Sequence, residues 1–429
     1  MFDWTELAAV NPLAEEATLI ARIAELERVK AAAAAGQARA TAALDAARRA
    51  REYAEGVPAA KRGRGVAGEV ALARRDSPNR GNQHLGFAKA LVHEMPHTLV
   101  ALQRGALSEW RATLIVRESA CLSVNDRRRL DAEMCGDPRS LEGWGNKRVE
   151  AEAKRIAYRL DPQAVVDRAA RAPGERTVTI RPAPDTMTYV TALLPVAQGV
   201  SVYAALNSSA DTTFDDRSRG QVMADTLVER VTGRPAEVPV PVEVNLVMSD
   251  TALLGDRDEP AIVRGHGLVP AAIGRRLVAD AVGDPRSEAT LRRLYARPVT
   301  GALVAMESKA RRFPKGLTAF IATRDETCRT PYCDAPIRHT DHADPHRRGG
   351  KTSAVNGLGM CERCNYTKEA PGWQVVTADD EKNCHTAIFT TPTGSRYRST
   401  APPAPGATPV TISRIEAGMA KFLTGLRAA

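Results

Sequence analysis

Two short pairs of cysteines constrain the fold of this chain more than any other feature of its sequence. Cys328 and Cys333 form the first pair, and Cys361 and Cys364 form the second. Zinc prefers four soft ligands in a tetrahedron, and two hooks with these spacings can close on a single ion. Because four thiolates leave no open coordination position, the sequence predicts a structural zinc site in a reducing compartment rather than a set of disulfides.

Oxygen-bearing side chains and histidines lie between and just after these pairs, in the segment HTDHADPHRRGGKTSAVNGLGMCERCNYTKE at 339–369. A site that hydrolyses a phosphodiester needs a base with a pKa near neutrality and a hard cation held by oxygen atoms. His342 can be the base, and Asp341 and Asn365 can provide the oxygens. Asn356 can fix the loop so that the imidazole points at the phosphate.

The local order of this segment is predicted as strand, loop and helix. RHTDH is a short strand, the Gly-rich stretch after it is a loop, and CERCNYTKEA forms one helix that stops before Pro371. Asn365 then lies one helical turn after Cys361, which would anchor the zinc. Strict strand alternation would send Asp341 and His342 to opposite faces, so we expect the strand to end or bulge there.

Basic residues within this segment flank the candidate site and could bind phosphates. The chain has 60 Lys and Arg against 51 Asp and Glu, which makes a polyanionic partner plausible without proving it. We expect His339 and His346 to face solvent, and His385 to be an ordinary strand residue rather than a metal ligand. The candidate phosphate contacts, taken as a cluster, are Arg347, Arg348, Lys351, Arg363 and Lys368.

Helical patterns dominate the rest of the chain. Aromatic residues make up only 4% while Ala and Arg are abundant, which favours a mainly α fold with some β. Asn11-Pro12 is predicted to open a long helix with Leu19, Ile23 and Leu26 on one face. The stretch GVPAAKRGRG is either a plain loop or a phosphate-contacting arm. Further along, we expect a helical bundle over 66–172, a β-hairpin over 176–195, helices over 196–233, a strand over 240–249 and a helix over 269–282.

The chain resembles a known family at two levels. Nearly its full length is similar to actinobacterial HNH endonuclease proteins that carry a long N-terminal domain of unknown function. The stretches behind this similarity include GVAGEVALARRDSP, SEWRATLIVRESACLS, FDDRSRGQVMADTLVERV, RRFPKGLTAFIATRDETCRTPYC and NYTKEAPGW. A shorter segment resembles the ββα-metal motif of HNH endonucleases. The residues that carry this resemblance are Asp341-His342, Gly349-Gly350, Asn356 and Cys361-x-x-Cys364-Asn365-x-x-Lys368.

The resemblance implies a metal-dependent endonuclease that acts on DNA. It makes His342 the general base and Asn356 the middle Asn of the motif, while Asn365 stands where the last His would be. With Asp341 and Asn365 offering only oxygen, magnesium or manganese is favoured as the catalytic cation. The alternative is a catalytically inactive, zinc-stabilised DNA-binding or scaffold protein. The presence of both Asp341 and His342 argues against that alternative.

The predicted architecture combines an N-terminal helical bundle, an α+β middle region and a C-terminal ββα-metal (HNH) nuclease domain with a four-cysteine zinc site. The N-terminal helices could read DNA, form a homodimer or restrain the nuclease. The chain has no apolar run long enough to span a bilayer and no signal-peptide pattern, so we expect a cytoplasmic protein without a membrane partner. The predicted segments are a long helix at 1–56, a helical and α+β domain of unknown function at 66–300, the nuclease domain at 310–398, and a Pro-rich linker with a short helix at 400–429.

Overall fold

The chain divides into two compact units, at 1–174 and 175–429, and each is described by itself. Helices predominate in the first unit, and the second mixes helices with short antiparallel strands. The predicted terminal helix falls largely outside the described residues. The computed structural model describes residues 4–137, 139–236, 246–249, 252–253, 258–263, 267–283, 307–308, 312–379 and 384–403.

The regular elements that the structure describes in the first unit are all helical. Several begin at a serine whose side chain accepts the N–H three residues later, as at Ser77, Ser108 and Ser123. In chain order they are α1 Trp4–Ala8, α2 Glu16–Ala54, α3 Val66–Ala73, α4 Pro78–Glu94, α5 Pro96–Gln103, α6 Glu109–Glu118, α7 Val124–Cys135, α8 Asn146–Leu160 and α9 Pro162–Arg171, with a 3-10 turn at Ala59–Lys61.

Small side chains on α2 form the centre of the first unit. Ala31, Ala34, Ala35 and Ala38 recur at helical spacing, are buried, and pack with residues of α4 and α5 in one core. Because alanine projects little beyond the backbone, neighbouring helices can approach α2 closely. The alanine-rich stretch therefore serves packing.

The predicted start of the long helix was wrong. Asn11 Oδ1 accepts the N–H of Leu13 at 3.0 Å and closes a turn, and α2 begins only at Glu16. The predicted apolar stripe is also incomplete, because Ile23 is 64% exposed. The buried face of α2 begins further along, at its alanines.

Before the cysteine pairs, the described part of the second unit contains helices and short strands. The predicted hairpin over 176–195 is confirmed, and its turn is made by Asp185 and Thr186 in the left-handed region, with φ of 58° and 62°. Of the predicted strand over 240–249, the described part forms a strand at Leu246–Val247, and the residues before it lie outside the described part. These elements are β1 Thr177–Pro182, β2 Thr188–Leu193, α10 Val196–Thr212, α11 Arg219–Thr232, β3 Leu246–Val247, β4 Ala261–Val263, β5 Gly267–Val269 and α12 Ala271–Gly283.

The remaining elements surround the cysteines. They are β6 Glu307–Ser308, α13 Lys315–Asp325, β7 His339–His342, β8 Thr352–Ser353, β9 Gly357–Met360, α14 Glu362–Lys368, β10 Gln374–Asp379, β11 His385–Thr390 and β12 Arg396–Thr400. Strands β3, β4 and β5 form one antiparallel sheet, β6 pairs with β8, β7 pairs with β9, and β10, β11 and β12 form a three-stranded sheet. In the described residues, no helix is long and apolar enough to cross a bilayer.

A buried ion network ties α13 to β9. Asp325 accepts the N–H of Gly359 at 2.7 Å and pairs with Arg329 at 2.8 Å. Arg324 donates to the carbonyl of Gly357 at 2.7 Å. Burial alone would raise the pKa of Asp325, but the two guanidinium groups hold that pKa below its ordinary value. The network therefore fixes the strand that leads into the second cysteine pair.

Candidate metal centre and the site beside it

The four paired cysteines come together, as the sequence predicts. Their sulfur atoms all lie within 4.8 Å of one another and all four residues are buried. Sγ of Cys333 lies 3.6 Å from Sγ of Cys364 and 3.9 Å from Sγ of Cys361. Four sulfurs at about 2.3 Å from a central zinc would be roughly 3.8 Å apart, so the cluster has the donor type and the spacing of a tetrahedral zinc site.

Cys361 also begins the helix that carries Cys364. Its sulfur accepts the N–H of Cys364 at 3.4 Å, so it occupies the N-cap position of α14. Hydrogen bonds within the cluster, that of Cys328 first, lower the pKa of the Cys361 thiol, whereas the same coupling raises the pKa values of the Cys333 and Cys364 thiols. The four thiols therefore share protons, and binding a zinc ion as thiolates would release those protons.

Two antiparallel strands, β7 and β9, position His342 and Asp341. In the pairing of β7 with β9, His342 lies opposite Gly357 and Asp341 lies opposite Leu358. Strand β7 ends at His342. This end was expected, because strict strand alternation would send Asp341 and His342 to opposite faces. Oδ1 of Asp341 and Nδ1 of His342 are 3.8 Å apart, so the end of the strand brings the carboxylate and the imidazole to the same place.

The imidazole of His342 is buried in a pocket of three other side chains. Its Nε2 lies 2.9 Å from Oγ1 of Thr352, and its ring centroid lies 4.6 Å from that of Phe313. The ring of His346, which the sequence assigned to solvent, is exposed but makes an edge contact with His342 at 5.7 Å. Burial lowers the pKa of His342, and Asp341 opposes this effect. The ring is therefore neutral at neutral pH and able to accept a proton.

Asn356 braces the loop between the paired strands. Its Oδ1 accepts the N–H of Asp344 at 2.8 Å, and its Nδ2 donates to the carbonyls of Asp344 at 3.0 Å and Lys351 at 2.8 Å. Gly350 is required in the same loop, because a Cβ there would lie 1.9 Å from the carbonyl oxygen of Asp344. The side-chain amide of Asn356 thus holds backbone on both sides of the loop.

Asn365 and Lys368 occupy different surroundings on α14. Oδ1 of Asn365 is buried and has no hydrogen-bond partner within the described part of the chain. Lys368 has a side chain only 3% exposed, and its Nζ lies 2.7 Å from Oδ2 of Asp341. An orphaned amide oxygen and a carboxylate are the donor types that a hard divalent cation takes. The ammonium beside Asp341 is a feature that the sequence did not reveal.

The other predicted phosphate contacts are exposed. Arg348, Lys351 and Arg363 lie on the surface, and Arg347 is exposed but paired with Glu369 at 3.0 Å. Lys368 differs from these four because it is buried.

His385 is an interior strand residue, as expected. Its Nε2 lies 2.8 Å from the carbonyl oxygen of Val355, and its Nδ1 lies 3.3 Å from Nη1 of Arg329. Among the described residues, the cluster of three or more His, Cys, Asp or Glu side chains close enough to hold one metal ion consists of the four paired cysteines, so His385 lies outside that cluster. Its role is to pack β11 against the loop before β9.

A known protein family matches the larger part of the chain. The family described as a domain of unknown function (DUF222) matches residues 23–325. No curated protein and no solved structure matches the chain. The matched region covers well over half of the 429 residues and ends ahead of the first cysteine pair. The chain therefore belongs to the DUF222 family.

Proposed function

We propose that this protein is a metal-dependent endonuclease of the HNH type that hydrolyses DNA phosphodiester bonds. The observation that carries the proposal is the position of His342. It ends a strand beside the carboxylate of Asp341, in a strand, loop and helix unit whose helix begins at a predicted zinc ligand. The DUF222 domain is typical of actinobacterial proteins associated with HNH nucleases, which adds support from the matched region.

His342 is the general base in this proposal. The tautomer in which Nε2–H donates to Oγ1 of Thr352 leaves the lone pair on Nδ1. Nδ1 faces the Asp341 side of the ring, at 3.8 Å from the carboxylate. It can take a proton from a water molecule held there while that water attacks phosphorus, the bond from phosphorus to the leaving oxygen breaks, and the leaving oxygen takes a proton from solvent. Burial keeps the ring neutral and so keeps it ready for this step.

Asp341 and Asn365 would hold the divalent cation. Their oxygen atoms suit magnesium or manganese rather than a soft metal. The chemistry that a bound divalent cation supplies is neutralisation of charge on the phosphate in the transition state. The four cysteines would bind zinc, and the role of that zinc in this proposal is structural only.

The exposed basic residues would bind the DNA backbone. The basic residues near the candidate site are Arg347, Arg348, Lys351 and Arg363, and the whole chain carries a formal net charge of +9. Such contacts add affinity without sequence preference, and that affinity falls as salt rises. A cytoplasmic location, which keeps the thiols reduced, and a homodimer through the N-terminal helices belong to the same proposal.

Nicking of supercoiled plasmid by the zinc-loaded full chain tests the proposal. We expect conversion to open circles with magnesium or manganese, none with the divalent cation left out, and much slower conversion with His342→Ala. A wild-type protein that binds plasmid in a gel shift but never nicks it, at any magnesium or manganese concentration, would contradict the proposal. That result would favour the zinc-stabilised DNA-binding alternative.

A further inference from the structure

Lys368 lies between two carboxylates at the end of α14. Its Nζ is 2.7 Å from Oδ2 of Asp341 and 2.7 Å from Oε1 of Glu369. The side chain of Lys368 is 3% exposed, whereas those of Asp341 and Glu369 are 31% and 34% exposed. A buried ammonium is thus shared by one carboxylate of the candidate cation site and one carboxylate outside it.

The ammonium of Lys368 would repel a divalent cation bound to Asp341. A divalent cation on Asp341 would lie within a few ångströms of Nζ, and at such distances like charges repel strongly where water is scarce. Lysine has a flexible stem and a compact charge, so a small movement can transfer it from one acceptor to another. Glu369 is already within hydrogen-bond distance and can receive it without a change in the helix.

We propose that Lys368 is a built-in cation that competes with the divalent cation for Asp341, and that Glu369 is the acceptor that holds Lys368 once the divalent cation binds. The proposal rests on the proposed function, since it concerns the same cation site. In this arrangement Lys368 orients Asp341 in the free protein and lowers the affinity of the site for metal. Glu369 has the opposite effect, and it acts through Lys368.

Direct measurement of manganese binding to the zinc-loaded full chain, by calorimetry and by the electron paramagnetic resonance of free Mn²⁺, tests this proposal without reference to cleavage. Lys368→Met should tighten Mn²⁺ binding about tenfold or more, because it removes a charge next to the carboxylate. Glu369→Gln should weaken Mn²⁺ binding several-fold, on the order of 3- to 10-fold, because Lys368 is then left to Asp341 alone. The two variants are therefore expected to shift the affinity in opposite directions.

Matched controls at exposed positions separate this effect from a general change of charge. Glu362→Gln on α14 and Arg338→Met just before β7 make the same charge changes, and both should alter Mn²⁺ affinity by less than about twofold because solvent screens them. In the Lys368→Met background, Glu369→Gln should have almost no further effect on Mn²⁺ affinity, since the ammonium through which Glu369 acts is then absent.

Several outcomes would overturn the proposal. One is a Lys368→Met protein that binds Mn²⁺ no more tightly than wild type, and another is a Glu369→Gln effect that persists in full in the double variant. If Lys368→Met fails to keep its zinc, the comparison of Glu369→Gln with Glu362→Gln still tests the proposal. Equal Mn²⁺ affinities of these two variants would refute the role of Glu369. If Asp341→Asn removes no Mn²⁺ site from either wild type or Lys368→Met, the proposed cation site itself fails. If that site exists and Lys368→Met leaves it unchanged, the competition alone is refuted.

Discussion

Asn356 and the backbone of Asp344 hold each other by a pair of hydrogen bonds across the loop between β7 and β9. Oδ1 of Asn356 accepts the Asp344 N–H at 2.8 Å, and Nδ2 donates to the Asp344 carbonyl at 3.0 Å. Only a side-chain amide offers an acceptor and a donor in this geometry. The position of Asn356 is therefore explained by the loop that it closes, and that loop begins directly after His342.

The first prediction is that Asn356→Asp, which has almost the same shape, is as damaging as Asn356→Ala. The carboxylate would place an oxygen against the carbonyls of Asp344 and Lys351, where Nδ2 now donates. We expect a loss of about 1–3 kcal/mol in the free energy of unfolding, because hydrogen bonds are lost and acceptors are left facing each other. Thermal unfolding with excess zinc measures this loss. An Asp variant with wild-type stability would show that the loop does not depend on the amide donor.

The second prediction concerns His342→Ala. If this residue is the general base, the nicking rate should fall by about two to four orders of magnitude while DNA binding stays nearly unchanged. Single-turnover nicking and a gel shift at the same salt concentration separate the two quantities, and zinc content confirms that the fold is intact. Undiminished cutting by this variant would remove His342 from the mechanism.

The third prediction concerns the zinc site. Cys361→Ser keeps an oxygen that can still cap α14, but it removes one thiolate, so the bound zinc should be lost. The strand, loop and helix unit should then become sensitive to protease, because zinc binding contributes folding free energy in small units. The helical unit at 1–174 has a core of its own and should resist cleavage.

Cys384→Ser provides a matched control for this change. Cys384 is only partly buried and lies outside the cluster of four cysteines, so its replacement should leave zinc content and protease resistance as in wild type. Wild-type zinc content and unchanged protease resistance in Cys361→Ser would contradict the assignment of Cys361 as a ligand.

The fourth prediction is a pH dependence of stability that originates at His385. Burial first, and the nearby charge of Arg324 second, lower the pKa of His385 from 6.5 to about 4. The unfolded chain therefore takes up a proton near pH 6.5, whereas the folded chain resists it until about pH 4. The free energy of unfolding should fall as pH falls through this window, by up to about 3 kcal/mol, and this effect should be absent above the window.

Urea unfolding at several pH values between 7 and 5 checks the dependence on His385. His385→Gln cannot take up the proton, so its stability should depend less on pH than that of wild type. Both proteins keep the four paired cysteines, so the protonation of thiolates affects them alike and cancels in the comparison. Identical pH slopes would show that His385 is not the group responsible.

Sequence reasoning was most successful where short-range spacing decides the structure. The two cysteine hooks predicted one cluster, and alternation on either side of a turn predicted the hairpin of β1 and β2. It failed where contacts join distant parts of the chain. Nothing in the order of residues indicates that the ring of Phe313 contacts that of His342, or that Lys368 is buried against Asp341 rather than exposed with its basic neighbours. The start of α2 was misplaced because an asparagine can close a turn as well as cap a helix, and Asn11 closes a turn.

The fifth prediction uses the orphaned oxygen of Asn365. Its Oδ1 is buried without a hydrogen-bond partner in the described residues, so Asn365→Ala removes an unsatisfied polar atom and should leave stability unchanged or slightly higher. If the oxygen is a cation ligand, the same change should weaken nicking through metal affinity.

Metal dependence then separates Asn365 from His342. Raised magnesium or manganese should partly restore nicking by Asn365→Ala, because a weakened site can be filled by mass action. No metal concentration should restore His342→Ala, whose missing function is proton transfer. The measurement is the nicking rate against cation concentration for both variants, with zinc content followed in parallel. An Asn365→Ala protein that loses zinc, or whose loss of rate is as insensitive to metal as that of His342→Ala, would place Asn365 in the scaffold of α14 and leave Asp341 as the one candidate ligand of the cation.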